Sequence, residues 1–153
     1  MESTTERVEV TRELVIDASP ETVWAFLTDP EKIKRWKGVL VSFDATAGAA
    51  YRIEVIPSHI AAGEIVELDP PHRLVYTWGW EQGGPVPPGS TTVVYELEPE
   101  GAGTRLKFTH KDLPNQEAAD SHATGWDHYL ERLAVASAGG DPGPDPWLTE
   151  RME

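Results

Sequence analysis

The chain has 153 residues, a length that suits a single domain with its own hydrophobic core. It contains no cysteine, which excludes disulfides, thiolate chemistry and cysteine-ligated zinc. Its 26 acidic residues outnumber its 13 basic ones, and the formal net charge of -13 argues against nucleic acid as a partner, because neutralising phosphates requires Lys and Arg.

The N-terminal sequence has neither the basic nor the apolar segment of an export signal. No apolar run approaches the roughly 18 residues that a membrane-spanning helix needs. We therefore expect a cytoplasmic protein without a membrane span. The sequence does not indicate an oligomeric state.

The first predicted elements are one strand and two short helices. Residues 7–17 alternate between apolar and polar side chains, which predicts a half-buried strand. Arg12 falls on the apolar side of this strand, either as a cation that lines a cavity or as a side chain that extends to water. Ser19 and Asp29 are each followed by proline and glutamate, so each is expected to cap a short helix.

Six further strands are predicted between residues 38 and 111, separated by glycine and proline. Their bounds are 39–43, 50–56, 63–68, 73–80, 91–97 and 104–110. Because the connections are short, sequence neighbours should pair antiparallel, which gives a seven-stranded meander when the first strand is included. The loop 81–90 is longer than a hairpin needs, and it either gates a cavity mouth or forms a rigid surface excursion.

A long amphipathic helix is predicted over residues 115–138, because apolar residues recur there at steps of three and four. Gly125 lies in its middle, at a cost of about 0.5 to 1 kcal/mol relative to Ala. Either a close approach of the helix to the sheet or space for a ligand beside Trp126 would explain it. We expect residues 1–138 to form a single domain and residues 139–153 a Pro-rich acidic extension, which Trp147 could hold against the surface.

Four segments together carry a family likeness: ASPETVWAFLTDPEKIKRW at 18–36, GEIVELDPPHRLVYTW at 63–78, GTRLKFTH at 103–110, and GW at 125–126. In this order they resemble the START or SRPBCC helix-grip superfamily, which includes lipid-transfer domains, birch-pollen-type allergens and polyketide cyclases. The likeness is closest to the activator of heat-shock-protein ATPase homologue-like family. It implies an α+β helix-grip fold, in which a seven-stranded curved antiparallel sheet wraps round the long C-terminal helix, with two short helices after the first strand.

The resemblance also implies an elongated cavity between sheet and helix that binds or carries a small hydrophobic or aromatic ligand. It transfers no catalytic residues, because these families share a scaffold while their chemistries differ. An enzyme of the polyketide cyclase or aromatase kind is one alternative, and a chaperone-associated interaction module is another. We do not expect a chaperone partner. The eukaryotic co-chaperone carries an additional chaperone-binding domain, and 153 residues leave no room for such a domain here.

The candidate ligand-binding residues are inward-facing strand positions together with aromatic residues and a histidine of the helical segments. They are Trp36, Tyr51, Ile53, Tyr76, Trp78, Trp80, Tyr95, Phe108, His122, Trp126 and Tyr129. For each aromatic residue, packing in the core is the alternative role. His122 and Tyr129 are also candidates for proton transfer, although no catalytic set is defined.

The five histidines form neither an HxxxH nor an HExxH pair, so we expect no metal site. A proton-transfer role is also conceivable for His59, in a loop-like segment. The sequence lacks the GxSxG, P-loop and GxGxxG signatures of serine hydrolases and nucleotide-binding enzymes. We therefore expect no cofactor.

Overall fold

The structure is a computed structural model that describes residues 8–38, 40–82, 84–143 and 145. It contains seven strands and three helices in these residues. The strands are β1 (Val8–Ile16), β2 (Leu40–Phe43), β3 (Ala50–Ile56), β4 (His59–Asp69), β5 (Arg73–Trp78), β6 (Thr91–Glu100) and β7 (Gly103–Leu113). The helices are α1 (Pro20–Thr28), α2 (Pro30–Ile33) and α3 (Gln116–Ser137).

All seven strands form one antiparallel sheet in the order β1-β7-β6-β5-β4-β3-β2. The predicted meander is confirmed for β2 to β7. It is wrong for β1, which pairs with β7, with Leu14 opposite Leu106. The reason is the path of the chain: α1 and α2 carry it from one edge of the sheet to the other, so β1 and β2 lie at opposite edges.

Most predicted strand bounds differ from the structure by one to four residues, and two of these differences change the interpretation of single residues. β4 begins at His59, because residues 59–62 continue the ladder with β3 and place Ala61 opposite Ile53. β5 ends at Trp78, and Trp80 makes only an isolated bridge to Ala61. His59 is thus the first residue of a strand rather than part of a loop.

The two short helices begin at the predicted caps. The Ser19 side chain accepts a hydrogen bond from the Thr22 amide, and the Asp29 side chain accepts one from the Glu31 amide. After α2, the Trp36 indole N–H donates to the Phe26 carbonyl over 2.8 Å. This bond fixes the chain that follows α2 against α1.

α3 begins after Asn115, whose side chain accepts from the Ala118 amide over 2.8 Å. Its buried face packs on the sheet, and an exposed ion pair joins it to β1: Arg12 Nε lies 2.6 Å from Asp127 Oδ1. The hydrogen bond to Asp127 raises the pKa of Arg12. Arg12 therefore points to the solvent-exposed flank of α3 and does not line the cavity described below.

The start of the C-terminal extension packs on α3. The Arg132 guanidinium donates to the carbonyls of Pro142 and Gly143, at 3.3 and 2.9 Å. The predicted contact of Trp147 lies outside the described residues. No helix in the described ranges has the length and hydrophobicity needed to cross a bilayer. The cytoplasmic location stays a prediction.

Candidate ligand-binding cavity

A cavity of about 610 Å³ lies between the first half of α3 and the sheet at β3 to β5. Its buried floor is formed by Lys37, Val55, Ile56, Trp78, Trp126 and Tyr129. Exposed residues at its mouth are His59, Gln82, Ser121 and Thr124. Trp80, His122 and Gly125 lie between floor and mouth. The volume falls within the range of about 300 to 1,000 Å³ that is usual for small-molecule sites.

Three indole rings form the largest part of the apolar wall. The Trp78 ring centroid lies 5.4 Å from that of Trp80 and 5.1 Å from that of Trp126. Phe108 packs behind Trp126 at 4.5 Å and is itself buried. Because tilted and edge-on contacts of this kind are favourable, the rings support one another and hold the wall in shape.

A buried hydrogen-bond chain anchors Trp126. Its indole N–H donates to His110 Nδ1 over 2.9 Å, and His110 Nε2 lies 2.8 Å from Thr91 Oγ1. The single Thr91 hydroxyl proton goes to the Trp78 carbonyl, so His110 must donate through Nε2. Burial, and then His122 and Lys37, lower the pKa of His110 to about 3, and the ring is therefore neutral at pH 7.

His122 is held on both sides of its ring. The Trp80 indole N–H donates to His122 Nε2 over 3.0 Å, which leaves Nδ1 to donate to the Ala118 carbonyl over 2.8 Å. Burial lowers the pKa of His122, and the bond to the Ala118 carbonyl partly opposes this. The neutral His122 therefore orients Trp80 at the cavity mouth.

Tyr129 connects the cavity floor to the C-terminal extension. Its hydroxyl donates to Asp145 Oδ2 over 2.7 Å, and the other oxygen of Asp145 lies 2.8 Å from His128 Nε2. Asp145 is buried although it belongs to the predicted extension. The extension therefore supplies a group that fixes a residue of the cavity floor.

Lys37 is the one cation among the described residues of the cavity lining, and only 3% of it is exposed. Its Nζ lies 4.8, 5.2 and 4.7 Å from the ring centroids of Trp36, Trp78 and Trp126. Burial lowers its pKa to about 7. Electrostatic attraction to the indole faces favours the charged amine and acts in the opposite direction.

The position of Lys37 is set by its neighbours in the chain. The Trp36 carbonyl accepts from Arg132 of α3 over 3.1 Å. Gly38 has φ +93°, and a Cβ there would lie 2.9 Å from the Ile53 side chain, so this turn requires glycine. The turn sits tightly on β3 and directs Lys37 into the cavity.

Gly125 lies at the open side of α3 rather than at a close contact. A Cβ at this position would meet nothing within 4 Å. The explanation by close approach of the helix to the sheet is therefore wrong. The alternative, space beside Trp126, agrees with the position of Gly125 in the cavity lining.

Five of the predicted ligand-binding residues line the cavity: Trp78, Trp80, His122, Trp126 and Tyr129. The other six lie in the hydrophobic core and not in the lining: Trp36, Tyr51, Ile53, Tyr76, Tyr95 and Phe108. The five strand residues among them face inward, as alternation predicts, but the core in front of them is filled. Ligand contact itself stays a prediction for all of them.

The core tyrosines satisfy their hydroxyls internally. Tyr51 donates to the Thr77 carbonyl over 2.5 Å, and the hydroxyls of Tyr76 and Tyr95 lie 3.0 Å apart. Burial raises the pKa of all three. These partners allow the tyrosines to be buried without a ligand.

Sequence reasoning missed Lys37, Ile56, Gln82, Ser121 and Thr124 in the lining. Lys37 follows a helix of four residues, where no periodicity indicates which way a side chain points. The loop after β5 contributes Gln82 to the mouth, while Val86 is buried and its carbonyl accepts from the Trp80 amide. No cluster of potential metal ligands occurs within the described residues.

Comparisons with known proteins place the chain in a family. Residues 17–138 match the family described as activator of Hsp90 ATPase homolog 1-like protein. The solution structure of an AHSA1-like protein from Rhizobium etli is 43% identical, covers 100% of this chain and 96% of that chain, and has a TM-score of 0.77. No curated protein matches the chain.

Two further structures share the fold. CalU16 from Micromonospora echinospora is 25% identical over 90% of this chain and 88% of its own, with a TM-score of 0.69. DynU16, from the dynemicin biosynthetic locus, is 24% identical over 88% of this chain and 48% of its own, with a TM-score of 0.76. The chain therefore belongs to the activator of Hsp90 ATPase homolog 1-like family and has the helix-grip fold of the SRPBCC superfamily, as its sequence predicted.

Proposed function

We propose that this protein binds or carries one small, largely apolar and aromatic molecule in the cavity between α3 and the sheet. The observation that carries this proposal is the cavity itself, about 610 Å³ in volume and walled by indole rings and aliphatic side chains. Apolar walls with a few placed polar groups are typical of small-molecule sites. Gly125 in mid-helix adds support, because its missing side chain leaves the space beside Trp126 open.

The arrangement of polar groups favours binding over catalysis. Both ring nitrogens of His122 are engaged, by Trp80 and by the Ala118 carbonyl. The Tyr129 hydroxyl already donates to Asp145. A general acid or base needs a free site within reach of the substrate, so neither residue is poised for proton transfer. Membership of a superfamily with enzymes does not alter this, because fold does not determine chemistry.

Titration with a neutral fluorescent probe, N-phenyl-1-naphthylamine, tests the proposal. We expect wild-type protein to enhance its fluorescence saturably. Gly125→Leu should abolish the enhancement, because Gly125 lines the cavity and a Cβ there meets nothing within 4 Å, so the added side chain fills space that the probe would occupy. Glu131→Leu is the matched control, since it adds the same side chain at an exposed position on α3.

Two results would contradict the proposal: no saturable binding by the wild type, or equal binding by Gly125→Leu and wild type. Native mass spectrometry of the protein purified gently from its host then serves to identify a retained ligand by its mass. A cytoplasmic site of action is part of this proposal and is tested by fractionation of the host cells.

A further inference from the structure

Two residues of the cavity floor carry hydrogen-bond donors for which the described part of the chain offers no acceptor. Trp78 Nε1 is buried and has no hydrogen-bond partner among these residues. For Lys37 Nζ, the described residues provide neither a carboxylate nor a hydrogen-bond acceptor, and its nearest neighbours are the three indole faces. Buried polar groups in folded proteins are nearly always paired, so two unpaired donors in one cavity floor require an explanation.

These two donors cannot satisfy each other. Lys37 Nζ lies 5.2 Å from the centroid of the Trp78 ring, so both line the same part of the floor. An ammonium group and an indole N–H are both donors, and neither offers an acceptor to the other. Leaving a buried donor unpaired is unfavourable because the group has lost its hydrogen bonds to water, and leaving a buried charge unpaired is more unfavourable still.

Among the described residues, the other indole and tyrosine donors around the cavity are engaged. The indole N–H groups of Trp36, Trp80 and Trp126 donate to Phe26, His122 and His110 respectively. The Tyr129 hydroxyl donates to Asp145. The two free donors are therefore specific to Lys37 and Trp78, and do not reflect a general lack of polar partners around the cavity.

We propose that the cavity selects ligands that carry a carboxylate on an apolar aromatic body, and that the carboxylate is held by the Lys37 ammonium and the Trp78 indole N–H. This inference rests on the proposed function, since it assigns the class of ligand for the same cavity. A carboxylate has two oxygens that accept hydrogen bonds, and its negative charge also balances the positive charge of the Lys37 ammonium. The indole and aliphatic walls take the apolar body.

Among the described residues, no carboxylate is placed to act as a counter-ion for Lys37. The buried carboxylate nearest to the floor in the hydrogen-bond network is Asp145, which is engaged with Tyr129 and His128. With a formal net charge of -13, the protein as a whole repels anions. Selection of an acid must therefore come from the local contact in the cavity floor.

A matched pair of ligands tests the inference: 2-naphthoate and 2-naphthamide have nearly the same shape and differ in charge. We expect isothermal titration calorimetry at pH 6.5 to show about tenfold or tighter binding of naphthoate by the full-length wild type, as for a charge-assisted pair. Lys37→Met should lose this preference and still bind naphthamide. Lys34→Met, a change of an exposed lysine in the same segment, should retain the preference.

The pH dependence of the wild type gives a second test that needs no variant. Only the ammonium form pairs with a carboxylate, so naphthoate affinity should fall as the pH rises above about 7, where free Lys37 loses its proton. Naphthamide affinity should stay constant over the same range. The other titratable groups among the described residues that line the space around Lys37 are His59, His122, Tyr129, Lys34, Arg35, Arg132 and Asp145, and His110 on β7 interacts with it electrostatically.

The outcomes separate this inference from the proposed function. If naphthamide binds as tightly as naphthoate, or if Lys37→Met keeps the preference for the acid, the inference is overturned while the binding function stands. If the wild type binds neither naphthalene ligand nor the neutral fluorescent probe, both proposals fail. If it binds the probe and neither naphthalene ligand, only the inference fails.

Discussion

Lys37→Met should make the protein more stable, because it removes a buried amine that has no hydrogen-bond partner among the described residues. Methionine has a similar length and an apolar side chain that suits the indole-lined floor. In the proposal above, the group that this variant removes serves ligand binding rather than folding. Its stability therefore measures how much the folded protein is destabilised by keeping this group.

The size of the effect follows from the pKa. Burial lowers the pKa of Lys37 from the ordinary 10.5 to about 7. At about 1.4 kcal/mol per pKa unit, the wild type loses roughly 4 kcal/mol of unfolding free energy at pH 7 relative to a lysine that is uncharged throughout. Attraction to the three indole rings offsets part of this, so we expect Lys37→Met to gain about 2 to 4 kcal/mol.

The sign of the pH dependence is a sharper test than the size. Between pH 7 and 10.5 the unfolded chain holds the Lys37 proton more tightly than the folded protein does. The wild type therefore becomes more stable as the pH rises through this range, with respect to this group. Methionine does not titrate, so the advantage of the variant should be fully present below pH 7 and should shrink towards pH 10.

Urea denaturation followed by circular dichroism at pH 6, 7, 8.5 and 9.5 measures this difference. Lys34→Met is the control, because Lys34 is exposed and its change should alter stability by no more than about 0.5 kcal/mol. The reasoning is refuted if Lys37→Met is less stable than the wild type, or if its advantage is the same at every pH.

Three further predictions concern stability. Burial lowers the pKa of His110 to about 3, so below pH 6.5 the unfolded chain binds a proton at this residue more tightly than the folded protein does. The unfolding free energy of the wild type should therefore fall by about 2 kcal/mol between pH 7 and pH 5, which urea denaturation at the two pH values measures. An equally large fall in a His110→Gln variant would exclude His110 as the source. Gly125→Ala should raise the unfolding free energy by about 0.5 to 1 kcal/mol, since the new methyl group meets nothing within 4 Å and Ala favours the helix. Gly79→Ala should lower it by about 1 to 3 kcal/mol or more, since a Cβ there would lie 1.9 Å from the Pro87 carbonyl oxygen. Thermal denaturation compares the two glycine variants directly: a lowered Tm of Gly125→Ala would contradict the first prediction, and an unchanged or raised Tm of Gly79→Ala would contradict the second.

Much of the fold follows from local sequence. Alternation predicted the strands because side chains of a strand point to opposite faces with a period of two. The caps at Ser19 and Asp29 marked the starts of the two short helices, because their side chains accept hydrogen bonds from otherwise unpaired amides. The short connections of β2 to β7 left antiparallel pairing of neighbours as the natural arrangement.

The position of β1 required the tertiary structure. Its own alternation is the same whichever strand lies beside it, and the pairing with β7 depends on where α1 and α2 return the chain. The family resemblance implied a sheet wrapped round a helix. The prediction nevertheless paired β1 with its neighbour in sequence, because it relied on the short connections between strands. Strand order is a long-range property that local periodicity does not contain.

Alternation along the strands is enough to predict which side chains face the interior, and these include both Tyr76 in the core and Trp78 in the cavity. Which of them have open space in front of them depends on the distance between α3 and the sheet at each point, and this distance is a property of the folded chain. The same holds for the position of Lys37, which no pattern marks: a turn after a four-residue helix places its amine among three indoles. Periodicity specifies a direction from the backbone, whereas a cavity depends on how far away the opposite wall lies.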